Sequence, residues 1–155
     1  MRFFHRLAAI AIPAVCLGLS SCGNSFEKNS NQVTAIQTDL AKRMLDCETA
    51  DDVSAIVQYI DEATAEIKEI TADIKAGKSD LINEHKELTG HDMKHLRELE
   101  LEGKKAGALF SDGMQHMSKI SGANMKPVQE AVMKYGEAAR ELGTVKNEIV
   151  VEATK

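Results

Sequence analysis

Residues 51–76 read DDVSAIVQYIDEATAEIKEITADIKA, and this stretch decides the fold. Val53, Ile56, Ile60, Ala63, Ile67, Ile70 and Ile74 recur at steps of three and four without a miss. That spacing keeps one face of a helix apolar and makes a heptad seam three repeats long. Glu62, Glu66, Lys68, Glu69 and Asp73 lie largely off the seam. The β-branched side chains also suit a strand, but a half-buried strand alternates with period two, and no such alternation is present. Thr49 precedes the run, with Asp52 three residues later, which is the spacing of a capping box. Gly77 follows the run as a C-terminal cap.

The same period extends outward in both directions. Before the seam, Val33, Ile36, Leu40, Met44 and Cys47 predict a first helix over about residues 31–46. After it, Ser79 is placed to cap a third helix starting near Asp80. Leu81, Leu88, Leu96 and Leu99 share its apolar side, Ile82 and Met93 sit at the margin, and His85 and Asp92 fall within that face. Thr89-Gly90-His91-Asp92 offers another capping box, so Gly90 marks a kink or a break. From 103 to 122, Ala106, Leu109, Phe110, Met114, Met117 and Ile120 keep helical spacing among Gly103, Gly107, Gly113 and Gly122. This predicts a fourth, weaker helix that packs closely at its glycines. A fifth begins at Pro127, a favoured first-turn residue, and carries Val128, Ala131, Tyr135, Ala138, Leu142, Val145 and Ile149 to about Glu152. The second and fifth helices match in length. The expected fold is all-α: an up-down antiparallel bundle of three to five helices with coiled-coil-like seams.

Composition agrees. The chain has 155 residues, 43% of them hydrophobic and 28% charged, enough for one globular domain. There is no Trp and only 4% of the residues are aromatic, which argues against a stacking platform for single strands. The net charge is −5, so the chain lacks a uniform basic footprint, and no nucleic-acid partner is expected.

The N-terminus carries the most specific motif. Arg2 and Arg6 precede an apolar run from Leu7 to Leu19, too short to span a bilayer and interrupted by Pro13. The run ends in Leu19-Ser20-Ser21-Cys22. These 22 residues resemble the signal and lipobox of bacterial lipoprotein precursors. The resemblance implies cleavage between Ser21 and Cys22, a diacylglyceryl thioether on the Cys22 sulfur, and a fatty-acyl (palmitate-type) chain on its new amino group. Together these attach the protein to a membrane. Two or more acyl chains hold a protein stably, where one does so only marginally. Gly23 stands where an Asp retains many such proteins at the inner membrane, which implies the outer membrane if the host is Gram-negative. The expected organisation is then a cleaved signal over residues 1–21, a flexible tether over 22–31 and a single helical bundle over 32–155. Removing Arg2 and Arg6 makes the mature chain two units more negative.

Few residues suggest chemistry. Cys16 lies in the signal and Cys22 is consumed by lipid, which leaves Cys47 as one thiol with no internal partner. Its place on an apolar stripe favours burial over pairing between chains. His91 and His95 are four residues apart and share a helix face, a spacing that can clamp a metal. His85 and Asp92 lie nearby, and His116 is flanked by Met114 and Met117, a donor set that suits copper. Two histidines on one helix fall short of the three or four ligands a zinc site needs, and the methionines lie on an apolar stripe. No nucleophile constellation or phosphate loop is present, and nothing singles out a catalytic pair among the 24 acids. A non-enzymatic interaction or structural module of the cell envelope is therefore expected, without a cofactor. The alternative is an extracytoplasmic His/Met metal-binding lipoprotein. The isoleucine seam serves either as internal core or as a docking face for a helical partner or a second copy, and a small bundle needs it as core.

Overall fold

The computed structural model describes residues 25–88, 90–121 and 125–155. Among them are five helices and no strand: α1 (Ser25–Leu45), α2 (Ala50–Ala76), α3 (Lys78–Lys86), α4 (Gly90–Ser121) and α5 (Lys126–Ala153). Ser20, Ser21, Cys22 and Gly23 lie outside the described residues, as do Thr89 and Gly122.

The four long helices alternate in direction along the chain, as an up-down bundle requires. α1 and α2 form one hairpin, near whose turn the Arg43 guanidinium lies 4.3 Å from the centre of the Tyr59 ring. α4 and α5 form the other, where Phe110 stacks on Tyr135 at 5.5 Å. α1 packs most extensively on α4, and α2 on α5. Contacts between α1 and α4 rise together in number, from Glu27 with His95 to Cys47 with His116, so the two helices run side by side in one direction. α2 and α5 pair in the same manner, tied near their C-terminal ends by Lys75 to Glu141, and Lys78 at the start of α3 continues the line to Glu148 and Glu152.

The predicted seams form the core. Along α5 all seven stripe residues, from Val128 to Ile149, are buried. Along α2, Ile60 and Ile67 are fully buried, and only Ile70 of the seven is partly exposed. Each such isoleucine contributes about 1.5–3 kcal/mol through burial. The seam is thus occupied internally and leaves no free face for a partner helix. Thr64 and Thr71 are buried beside it, one turn after Ile60 and Ile67, and their hydroxyls donate to those residues' carbonyls at 2.7 Å. Cys47 is buried at 4% exposure. The capping box at the start of α2 is complete: the Thr49 hydroxyl accepts from the Asp52 N–H, and the Asp52 carboxylate accepts from the Thr49 N–H.

Three boundaries differ from the sequence reading. α1 begins at Ser25, six residues before the expected start, and takes in most of the segment read as a flexible tether. Tertiary contacts outweigh the polar composition there. The Glu84 carboxylate accepts from both the N–H and the hydroxyl of Ser25 at 3.0 Å, an anion placed where the helix dipole favours it. Phe26 packs against His85. Second, Ser79 is not a cap. α3 starts at Lys78, and Gly77 alone separates it from α2. Third, the break expected at Gly90 is present, between Lys86 and Gly90, but no second boundary falls at Gly103. α4 runs as one helix of 32 residues through Gly103, Gly107 and Gly113. Those glycines face α1: a Cβ at Gly103 or Gly107 would make ordinary contact with Thr34 or Gln37, and at Gly113 Met44 already occupies its place. Packing against α1 offsets their poor helix propensity.

Candidate functional site

The continuity of α4 disperses the histidines. His95 and His116 lie 21 residues apart on one helix, a separation of about 32 Å at 1.5 Å per residue. The His95 Nε2 lies 2.9 Å from a Glu27 carboxylate oxygen of α1, and its Nδ1 lies 3.7 Å from Glu98. These acids hold the His95 pKa above its ordinary value, with the Glu27 hydrogen bond as the largest cause. The His116 ring N–H donates to the Cys47 carbonyl at 2.8 Å, tying α4 to the end of α1. His91 is exposed one turn before His95. Among the described residues no group of three His, Cys, Asp or Glu side chains is placed to hold a metal ion. Met117 is fully buried in the core, and Met114 packs against it from the edge.

His85 behaves differently, and it points to the site. It lies on α3, its ring 5.8 Å from that of Phe26. Its Nδ1 is buried without a hydrogen-bond partner. Lys146 of α5 approaches the same aromatic ring, with its Nζ 5.4 Å from the ring centre. That ammonium donates to the Ser30 hydroxyl at 3.1 Å, and among the described residues no carboxylate lies within salt-bridge distance of it. Burial pulls the Lys146 pKa down to about 8. A buried charge without a counter-ion is costly and is normally paired.

These groups line a groove of about 600 Å³ where the start of α1 meets α3, α4 and the last turns of α5. Phe26 and Val33 of α1, Leu96 and Leu99 of α4, and Val150 of α5 form apolar walls. Arg97 and Lys104 stand at its edge with Glu100, whose carboxylate accepts from Lys104 at 2.8 Å. The leucines of α4, assigned from sequence to a core face, thus line a cleft instead. A second hollow, about 530 Å³ between α2 and α5, differs in kind: its lysines, Lys75 and Lys78, are already paired with Glu141 and Glu148.

Phe26 and Lys146 were not singled out by sequence reasoning. A trace of Lys146 was legible: it sits four residues after Leu142 and three before Ile149, flanking the apolar stripe of α5. Nothing local marks Phe26, because the contacts that order it come from α3 and α5. Compared with known proteins, the chain matches no family model, no curated protein and no solved structure.

Proposed function

We propose that the protein is a lipid-anchored component of a bacterial cell envelope that acts by binding rather than by catalysis. The observation that carries this reading is Leu19-Ser20-Ser21-Cys22, followed three residues later by the start of α1 at Ser25. Three residues reach at most about 11 Å, so acylation of Cys22 holds the α1 end of the bundle at the membrane surface. The groove around Phe26 and Lys146 is lined by the first half of α1. No described helix is long and apolar enough to cross a membrane. Gly23 after the cysteine favours the outer membrane in a Gram-negative host. The dispersed histidines give the metal-binding alternative no geometric support.

The test is Cys22→Ser, because a serine hydroxyl cannot form the thioether. Mass analysis of the mature N-terminus should show acyl chains on Cys22 in the native protein. The variant should remain unprocessed or lack acyl mass, and should lose its membrane attachment. A native N-terminus cut elsewhere and free of lipid would overturn the reading.

A further inference from the structure

The groove has the chemistry of a ligand site with its counter-ion still to come. We propose that it binds a single-tailed anionic amphiphile, with the carboxylate or phosphate of the head group on Lys146 and the tail along Phe26, Val33, Leu96 and Leu99. Three features of the structure converge on this ligand class.

The first is an uncompensated cation. Lys146 is largely buried, its Nζ touches one hydroxyl and the face of one ring, and no described carboxylate pairs with it. A hydroxyl and an aromatic face only partly replace the water that the ammonium loses. An anionic oxygen supplies the missing charge, and a charge-assisted hydrogen bond is roughly twice as strong as a neutral one.

The second is an unsatisfied ring nitrogen beside the same aromatic. The buried His85 Nδ1 has no hydrogen-bond partner among the described residues. The Phe26 ring is thus approached by both groups.

The third is the wall. A free inorganic anion needs only donors, but here the donors stand in a cleft lined by phenylalanine, valine and leucine. Its volume of about 600 Å³ falls in the range of small-molecule sites, roughly 300–1,000 Å³. Arg97 also lines the groove, next to the Glu100–Lys104 pair. An apolar tail with an anionic head satisfies wall and donors together, whereas a neutral lipid satisfies only the wall. The inference rests on the groove alone and does not require the anchor, although a membrane at this end of the bundle would supply such molecules.

The test is photo-crosslinking of the full chain in membranes with three probes that carry a diazirine in the tail: a long-chain fatty acid, a lysophosphatidic acid and the matching fatty alcohol. Both anionic probes should label peptides holding Phe26, Val33 or Leu96 to Leu99, and the stronger of the two identifies the head group. The alcohol should label these peptides about tenfold less, the factor that about 1.4 kcal/mol of lost ion pairing produces. Lys146→Met should reduce anionic labelling to the level of the alcohol, and Lys146→Arg should restore it. Circular dichroism of each variant confirms that the bundle is intact. Equal labelling by the alcohol, label spread over other surfaces, or a folded Lys146→Met chain labelled like the native one would overturn the proposal. The mass of the N-terminal peptide in the same digest reports acylation of Cys22 separately, so loss of the anchor reading and loss of the groove reading give different signatures.

Discussion

Alanine at Gly113 should destabilise the protein, although the same substitution at Gly136 and Gly143 should stabilise it. All three glycines lie inside long helices. Glycine in a helix interior costs about 1 kcal/mol relative to alanine, so propensity alone favours every one of these changes. The surroundings decide the sign. A Cβ at Gly113 would lie 2.7 Å from the Met44 Cβ and 3.2 Å from the Ala41 carbonyl oxygen. Carbon atoms in contact sit at about 3.5–4.0 Å, so roughly 1 Å of separation between α1 and α4 is needed. Neither obstacle is the free end of a side chain: one atom belongs to the α1 backbone and the other is bonded to it. Ala41 and Met44 are fully buried, so no solvent-filled space takes up the shift. Overpacking of this kind costs about 1–3 kcal/mol, and the rigid contacts place it near the upper end. After the propensity gain, a net loss of about 2 kcal/mol remains. At Gly136 and Gly143 nothing lies within 4 Å of the added carbon. Each should gain about 0.5–1 kcal/mol. Urea unfolding of the full chain, followed by far-UV circular dichroism, reads the three changes as shifts in midpoint at constant slope. If Gly113→Ala stabilises as the other two do, α1 and α4 are not in close contact, and the wall they share in the groove is wrongly placed.

Lys146→Met should stabilise the folded chain. Burial holds Lys146 at about 8, against about 10.4 for a free lysine, and each unit is worth about 1.4 kcal/mol. After about 1 kcal/mol is deducted for the lost hydrogen bond to Ser30, a gain of about 2 kcal/mol is expected near neutral pH. The unfolded chain binds more protons between about pH 8 and 10.4, so native stability rises across that window and the advantage of Lys146→Met shrinks. Urea midpoints that keep the same gap near pH 7 and near pH 9.5 would refute this. The proton of His95 should titrate in nuclear magnetic resonance above its ordinary value, and Glu27→Gln should bring it down. Because the folded value is the raised one, the ionic clip between α1 and α4 is complete below about pH 6.5 and is lost as the pH rises through the folded value. Ile60→Asp or Ile67→Asp should unfold the bundle, since each seats an unpaired charge at a fully buried position and costs several kcal/mol. A native-like thermal melt of either variant would show the seam to be exposed.

The sequence made some features legible because they repeat within one helix. The stripe of α5 and the seam of α2 needed only their own spacing, and the Thr49–Asp52 box needed only four residues. The features that were missed depend on residues far apart in the chain. The start of α1 is set by Glu84, 59 residues away, and Phe26 is ordered by His85 and Lys146. The glycines of α4 read as punctuation because local propensity penalises them, and only the nearness of α1 shows why the helix continues through them. A heptad-like pattern tells which face turns inward. It does not tell whether the facing surfaces close into core or stand apart as a cleft, and so Leu96 and Leu99 followed the predicted face yet ended beside a groove.

That last distinction bears on what the bundle is for. A core that closed over Phe26 would need a side chain at position 146 without a charge, and methionine there would serve stability better than lysine does. The chain instead keeps an ammonium among apolar walls and a ring nitrogen with no partner among the described residues, at the end of the bundle that a lipid on Cys22 would hold against a membrane. Elsewhere its buried polar groups are satisfied at short range, as with the hydroxyls of Thr64 and Thr71 on their own helix. The contrast sets a buried ring nitrogen of α3 and a lysine of α5 without a described counter-ion around one side chain, Phe26. A site that binds an anion requires that arrangement, since donors already satisfied by the protein have nothing left to offer a ligand.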